Sequence, residues 1–212
     1  MKDVSGVALV ASSPTVVIVK PDLGVKTLPQ LITLAKSKPG QLNFGSAGIG
    51  GATHLVGEYL RKEAGIDLVH VPYKGVQEAV TEVMAGRIDI AFPPIALAQT
   101  QLKAGRVVGV ALTDLQRTSL LPDVPTAHEQ GLKNFDYSIW YAMVAPSKVP
   151  RPILERVAKE VNEITASAEV QQKMAQQGLV PKQLVLDGFD AYIRTEIDKL
   201  GALVKASGAK AD

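Results

Sequence analysis

The chain of 212 residues contains no cysteine, so it can form neither a disulfide framework nor a thiolate metal site. It has only three histidines, His54, His70 and His128, and no two of them have the spacing of metal ligands on a helix. No apolar run approaches the roughly 20 residues that a membrane-spanning helix needs. We therefore expect no metal, no other cofactor and no transmembrane helix.

Charge of one sign is also scarce. The 23 Lys and Arg residues nearly balance the 21 Asp and Glu residues, which leaves a net charge of +2. Because the positive charges are interspersed with acidic ones, we expect no nucleic-acid partner and no binding to a membrane surface. Hydrophobic residues make up 46% of the chain, which is enough for one large domain or two small ones.

The middle of the chain alternates short apolar strands with helices of about ten residues, a pattern that indicates strand–helix–strand units. This alternation predicts an α/β fold with a parallel sheet and right-handed crossovers. Before it, two short strands flank a turn at Ser12-Ser13-Pro14, and after it a long strand carries the only tryptophan. The predicted helices are 27–37, 53–64, 76–85, 95–103, 151–165, 168–177 and 189–206, and the predicted strands include 7–10, 16–19, 67–71, 88–92, 107–112, 137–144 and 180–185.

The most informative segment is 41–55, QLNFGSAGIGGATHL, where a strand end is followed by a glycine-rich turn and then by apolar residues at helical spacing. Its glycines allow positive φ angles and a close approach of the backbone to a bound group. Free amide groups and the dipole at the start of a helix attract phosphate or carboxylate. The segment predicts an anion-binding loop, or alternatively a glycine-rich turn that binds no ligand.

Two known nucleotide-binding motifs do not fit this segment. A phosphate-binding P-loop needs Lys-Ser or Lys-Thr after its last glycine, whereas Gly50 is followed by Gly51 and Ala52. The dinucleotide pattern G-x-G-x-x-G, begun at Gly48, would need a glycine where Thr53 stands. The identity of the anion is therefore not encoded in the loop.

Ligands of open α/β sheets bind outside the carboxyl ends of the strands. The loops predicted at those ends are residues 46–51, 72–75, 92–95 and 113–114, so all four should line one crevice. This crevice would contain amide donors, hydroxyl groups, the phenol of Tyr73 and one lysine, Lys74, which is interpreted as a solvated turn residue.

No catalytic arrangement is evident, because there is no G-x-S-x-G turn and no nucleophile is predicted beside a base. His54 could face a ligand from the helix behind the glycine loop, but a structural role with its imidazole bonded to the backbone is favoured. His70 and His128 are also interpreted as structural, and Asp89 as a capping or pairing group near a strand end. We therefore expect binding without chemistry, with no catalytic residue and no metal ligand.

Several segments, taken in their order along the chain, resemble those of the Bug-type solute-binding proteins, which are the extracytoplasmic receptors of tripartite tricarboxylate transporters. The resemblance covers nearly the whole chain, through VALVASSPTVVIV, LNFGSAGIGGATHLVGEYL, VHVPYKG, LLPDVPTAHEQGL, WYAMVAP and the closing helix. It implies a type II periplasmic-binding-protein-like fold of two lobes that closes on a small carboxylate. It also implies a periplasmic location and membrane transporter subunits as partners.

The resemblance implies that one carboxylate sits on amide and hydroxyl donors at loops of the two lobes, and the matching loop of the second lobe here is residues 46–53. Many family members carry an F-D-N-type turn where this chain has Phe92-Pro93-Pro94, so an Asp that can recognise a ligand ammonium is lacking. A plain carboxylic acid is therefore favoured over an amino acid. The predicted ligand-binding residues are Ser46, Ala47, Gly48, Gly50, Gly51, Thr53, Tyr73, Phe92 and Pro93.

The family's first half-lobe, with a second glycine loop of the form P-A-G-G, has no counterpart here, and neither has its signal peptide. We therefore expect a truncated chain. Residues 1–20 would supply crossover strands of the first lobe and the hinge, 21–127 a complete parallel-sheet lobe, and 128–212 the return strand and C-terminal helices of the incomplete first lobe. Uncovered strand edges predict self-association. Two alternatives stay open: an α/β enzyme that uses the glycine loop for a phosphorylated substrate, and a remnant that binds nothing.

Overall fold

A computed structural model describes residues 3–206 of the chain. These residues form two compact units. One contains residues 3–13 and Ile139–Ala202, and the other contains Pro14–Ser138 and residues 203–206. In the described residues, no helix is both long enough and apolar enough to cross a membrane.

The second unit contains β2 (Val16–Val19), α1 (Leu28–Ser37), β3 (Asn43–Ser46), α2 (Ala52–Ala64), β4 (Val69–Pro72), α3 (Val76–Met84), β5 (Ile90–Ala91), α4 (Ile95–Lys103) and β6 (Val108–Leu112), with a 3-10 turn at Pro21–Leu23. Its five strands form one sheet in the order β4-β3-β5-β2-β6. Strands β3, β4 and β5 are parallel, while β2 is antiparallel to both β5 and β6, so β6 runs in the direction of the other three. The parallel strand directions predicted for the middle of the chain are thereby confirmed.

Strand β2 corrects the expected placement of residues 1–20, because it belongs to this sheet and not to that of the first lobe. All four of its residues are fully buried, as befits a central strand that is covered on both faces. The boundaries between the units accordingly fall at Pro14 and Ser138 instead of near residues 20 and 127. Residues 128–138 stay with the second unit, where the Tyr137 amide donates to the Thr113 carbonyl oxygen at 2.9 Å.

Local sequence signals explain where these helices begin and end. Thr27 is the N-cap of α1, where its hydroxyl accepts from the Gln30 amide at 3.4 Å, as its position before an apolar-periodic run predicts. Helix α2 ends at Gly65, which takes the left-handed conformation with φ 59°. Gly57 lets α2 pack closely on β3, because a Cβ atom there would lie 2.6 and 2.7 Å from ring atoms of Phe44.

The first unit contains β1 (Val4–Pro14), β7 (Ser138–Pro146), α5 (Arg151–Ala166), α6 (Ala168–Gln176), β8 (Val180–Val185) and α7 (Leu186–Ala206). Its three strands form a sheet in the order β7-β1-β8, in which β1 and β8 are antiparallel. Strand β1 runs unbroken through Ser12-Ser13-Pro14, so the turn expected there is wrong. Helices pack on the sheet through Leu9, Phe189 and Ile193 and through Val7, Leu154 and Ala158.

Candidate functional site

The four loops expected to share one crevice lie at the same edge of the five-stranded sheet, because the strands that they follow run in one direction. The first two are directly bonded, since the Tyr73 amide donates to the Ser46 carbonyl oxygen at 2.9 Å. The amino end of β2 also reaches this edge, where the Val16 amide donates to the Pro93 carbonyl oxygen at 3.0 Å.

The glycine loop, residues 46–51, needs glycine at two positions for its backbone path. Gly48 has φ 114° and Gly50 has φ 76°, in the region that side chains with a Cβ atom rarely adopt. Gly51 has φ −70° and serves as the N-cap of α2. The loop therefore turns directly into the helix, as the sequence predicts.

Most amides of this loop are occupied by acceptors of the chain itself. The Ala47 amide donates to Thr53 Oγ1 at 2.8 Å, the Gly48 amide to Ser46 Oγ at 3.1 Å, and the Gly50 amide to His54 Nδ1 at 3.1 Å. The Gly51 amide donates to the Gly48 carbonyl oxygen at 3.3 Å. These hydrogen bonds fix the shape of the loop. They also occupy four of the amide donors that the sequence predicts for an anion.

Three backbone donors remain, one in the glycine loop and two in the first turn of α2. Between described residues, no hydrogen bond uses the amide of Ile49, Ala52 or Thr53. The first amides of a helix have no partner within the helix, and the positive end of its dipole lies there. Of the predicted ligand-binding residues, Thr53 has such an amide, whereas the amides of Ala47, Gly48, Gly50 and Gly51 donate within the chain. Binding of an anion by these residues stays a prediction.

Two stacked imidazole rings lie beneath the loop. The rings of His54 and His70 have centroids 3.9 Å apart, and Phe44 stacks on His70 at 4.9 Å. Burial lowers the pKa of His54, with Glu58 opposing the shift and Arg61 adding to it. Burial, followed by the charges of His54 and Arg61, lowers the pKa of His70 to about 4. Both rings are therefore neutral near pH 7.

The structural interpretation of His54 is confirmed, because its Nδ1 holds the Gly50 amide. His70 Nε2 lies 2.6 Å from Ser46 Oγ. This serine–histidine pair was not expected from the sequence, and it resembles a nucleophile beside a base. However, Ser46 is fully buried, its Oγ also accepts the Gly48 amide, and an imidazole with a pKa of about 4 is a weak base. The pair supports the loop and is poorly suited to catalysis.

The other predicted residues divide between this sheet edge and the core. Tyr73 is partly exposed beside the glycine loop, with its ring near Gly45. Phe92 is fully buried and packs edge-on against Phe44 at 5.8 Å, so its ring supports the loop from below. Pro93 is buried too, and its carbonyl oxygen holds β2. Asp89 pairs with Lys20 at 2.7 Å and accepts the Asn43 amide, as a pairing group should.

Sequence reasoning missed Thr15 and Tyr137 at this edge. Thr15 Oγ1 lies 2.9 Å from Thr113 Oγ1, and both residues are fully buried. The Thr113 hydroxyl lies 2.6 Å from the Tyr137 carbonyl oxygen, and the Tyr137 hydroxyl donates to the Ala52 carbonyl oxygen at 3.0 Å. The sequence predicts that Thr15 and Tyr137 belong to the first lobe and its hinge, whereas both lie in the second unit. In residues 3–206, no group of three or more potential ligands could hold a metal ion.

Within residues 3–206, this edge of a predominantly parallel sheet therefore combines a glycine loop with backbone amides that no acceptor uses. The solved structure of the periplasmic binding protein BugD shares the fold, with 27% identity, a TM-score of 0.84, and coverage of 99% of this chain and 71% of BugD. An R. palustris protein solved with adipate superimposes with a TM-score of 0.87 at 24% identity, over 98% of this chain and 70% of that one.

The sequence model of the family described as "Tripartite tricarboxylate transporter family receptor" (TctC) matches residues 1–209. The chain therefore belongs to this family. An Agrobacterium vitis relative, a UPF0065 protein encoded in the ttuE-ttuC' intergenic region, is 33% identical over 98% of this chain. The chain spans 61% of the length of that relative. The resemblance and the fold class inferred from the sequence are thereby confirmed.

Proposed function

We propose that this chain is the receptor component, or a part of it, that binds a small carboxylic acid in the periplasm for the membrane subunits of a tripartite tricarboxylate transporter. The observation that carries this proposal is the set of three amides, at Ile49, Ala52 and Thr53, that no acceptor in the described residues uses. They lie at the positive end of α2, at the sheet edge where ligands of such folds bind.

The chemistry of the loop favours a carboxylate over a phosphate. A carboxylate has two oxygens and one charge, which neutral amide donors and a helix dipole can satisfy. Phosphate sites usually add a Lys or Arg side chain. The one cation in the four loops, Lys74, is exposed. Phe92-Pro93-Pro94 offers no carboxylate to pair with an ammonium group, which favours a plain acid over an amino acid.

Calorimetry against two panels tests the proposal. The first contains adipate, succinate, malate and citrate, and the second contains nucleotides and sugar phosphates. We expect saturable binding of at least one carboxylate and none of the phosphorylated compounds. Binding of phosphorylated compounds alone would favour the enzyme alternative. No heat from either panel, with a folded chain verified by circular dichroism, would favour a remnant that binds nothing.

A further inference from the structure

The shape of the glycine loop depends on a histidine in a defined tautomer. The Gly50 amide donates to His54 Nδ1 at 3.1 Å. Because a backbone N–H can only donate, Nδ1 carries no proton in this arrangement, and the proton of the neutral ring is on Nε2. Nε2 faces Glu58 Oε1 at 3.7 Å, which agrees with this assignment. His54 also sits in the first turn of α2, directly after two of the three unused amides.

We infer that His54 is a positioning residue for the glycine loop, which its neutral ring holds in the anion-binding shape and which a proton on Nδ1 releases. A protonated Nδ1 would place two donors face to face, so the Gly50 amide would have to move away. The neighbouring Ile49 amide would move with it, and the donor set would lose its arrangement. The link to carboxylate affinity rests on the proposed function, whereas the link between His54 and the loop does not.

The groups around His54 determine how acid acts on it. On α2, Glu58 favours a charged ring and Arg61 opposes it, while Arg61 itself bonds Glu58 at 2.9 Å and Asp67 at 3.2 Å. From β4, His70 stacks on the ring, so a charge on one imidazole opposes a charge on the other. From β3, Phe44 brings no charge. The first proton is therefore expected on His54, because Glu58 faces it directly.

The experiment follows the Gly50 amide by nitrogen-15 NMR on the full chain without ligand, from pH 7 to pH 4. In the wild type, we expect the Gly50 signal to titrate with the His54 ring protons. We also expect its hydrogen exchange, corrected for the intrinsic rate, to accelerate about tenfold, as the loss of one hydrogen bond implies. A Gly50 amide that ignores the titration of His54 would overturn the inference.

Two variants separate positioning from mere packing. His54→Asn keeps an acceptor at the Nδ1 position but cannot titrate, so its Gly50 amide should remain protected across the pH range. His54→Ala removes the acceptor, so its Gly50 amide should exchange fast already at pH 7. This comparison needs no acid and can be made even if the chain unfolds at low pH. His128→Gln changes an exposed histidine and is the matched control that should behave as the wild type. Protection of Gly50 in His54→Ala at pH 7 would contradict the inference.

Binding is measured separately by calorimetry with adipate at pH 7 and pH 5. Protonation of the acid itself affects every protein equally, so the comparison is between wild type and His54→Asn at one pH. We expect the wild type to lose affinity on acidification several-fold more than His54→Asn does. Equal losses would overturn the link to affinity. Absence of adipate binding in both proteins would count against the proposed function only, because the NMR result stands without ligand.

Discussion

The ring of Phe44 occupies the space that a side chain on Gly57 would need. A Cβ atom on Gly57 would lie 2.6 Å from Phe44 Cδ2 and 2.7 Å from Cζ, closer than real Cβ contacts allow. Phe44 is fully buried and also supports the imidazole stack. The contact between α2 and β3 therefore fixes the start of the helix under the glycine loop.

Gly57→Ala should accordingly destabilise the chain by about 1–3 kcal/mol, because Phe44 must leave its position to make room for the methyl group. The measurement is chemical denaturation followed by circular dichroism. Gly201→Ala is the matched control, since Gly201 also lies in a helix but no atom stands within 4 Å of its Cβ position. That control should gain up to about 1 kcal/mol from helix propensity. Equal effects of the two substitutions would show that the close contact is not limiting.

The double variant Gly48→Val, Gly50→Val should lose carboxylate binding, because both positions have positive φ and valine would force the loop into another path. Calorimetry with the acids of the carboxylate panel measures the loss. Gly86→Val controls for backbone strain away from the site, since Gly86 has φ 75°, close to the 76° of Gly50. Unchanged affinity in the double variant would show that the glycine loop does not bind the acid.

Stability should fall as the pH is lowered from about 6.5 towards 4. The pKa of His70 is lowered from 6.5 to about 4, mainly by burial, so in this range the unfolded chain binds a proton that the folded chain does not. The stabilisation that His70 contributes is fully present above pH 6.5. It is lost as the pH falls through the pKa of about 4 that His70 has in the folded chain. Replacing the ring, as in His70→Asn, should flatten this part of the profile.

Thermal melts of wild type and His70→Asn at pH 7, 5.5 and 4 provide the comparison. Glu129 and Asp187, whose pKa values are lowered by hydrogen bonds, also lose stabilisation in acid, but they do so equally in both proteins. His54, whose pKa is also lowered, stacks on His70, so the difference between the two profiles reports on this imidazole pair. Parallel profiles would mean that His70 titrates alike in the folded and unfolded chains.

Purified protein should show no hydrolase, transferase or oxidoreductase turnover. Among the described residues, Ser46 and His70 make a serine–histidine contact near the loop. The serine of this pair is fully buried, and an imidazole whose pKa is lowered to about 4 is a poor base at neutral pH. Ester and phosphoester substrates, together with nicotinamide cofactors, make a suitable panel. Activity that disappears in Ser46→Ala, His54→Asn or Lys74→Ala would contradict this prediction.

Self-association is expected at micromolar concentrations. Strand β7 lies at one end of the described three-stranded sheet, and it exposes Tyr141, Met143 and Val144. An exposed apolar edge strand favours pairing with a second copy. Light scattering should therefore give a mass above the 22.5 kDa of one chain.

Substitution on the strand tests whether β7 is the surface involved. Met143→Lys should shift the mass towards the monomer, because a lysine on an edge strand opposes pairing. Leu115→Lys replaces an apolar residue that is 47% exposed in a loop of the other unit and should leave the mass unchanged. A wild type that is strictly monomeric, melts cooperatively and binds no hydrophobic dye would refute the prediction.

Much of the fold could be predicted from local signals. The Thr27 cap, the Gly65 stop and the Pro at the first turn of α5 act within a few residues of their own position, so helix ends were close to those observed. The glycine loop was found for the same reason. The partner of β2 could not be found this way, because four buried apolar residues fit the centre of either sheet.

The sequence by itself determined the alternation of strands and helices, the glycine path at Gly48 and Gly50, and the family, since these depend on local order along the chain. Only the tertiary structure decided which amides stay unused. Thr53 and His54 reach back to the loop, and Ser46 meets His70 across 24 residues of sequence. Hydrogen bonds between such groups depend on where packing places their side chains. The spacing of residues along the sequence does not determine these positions.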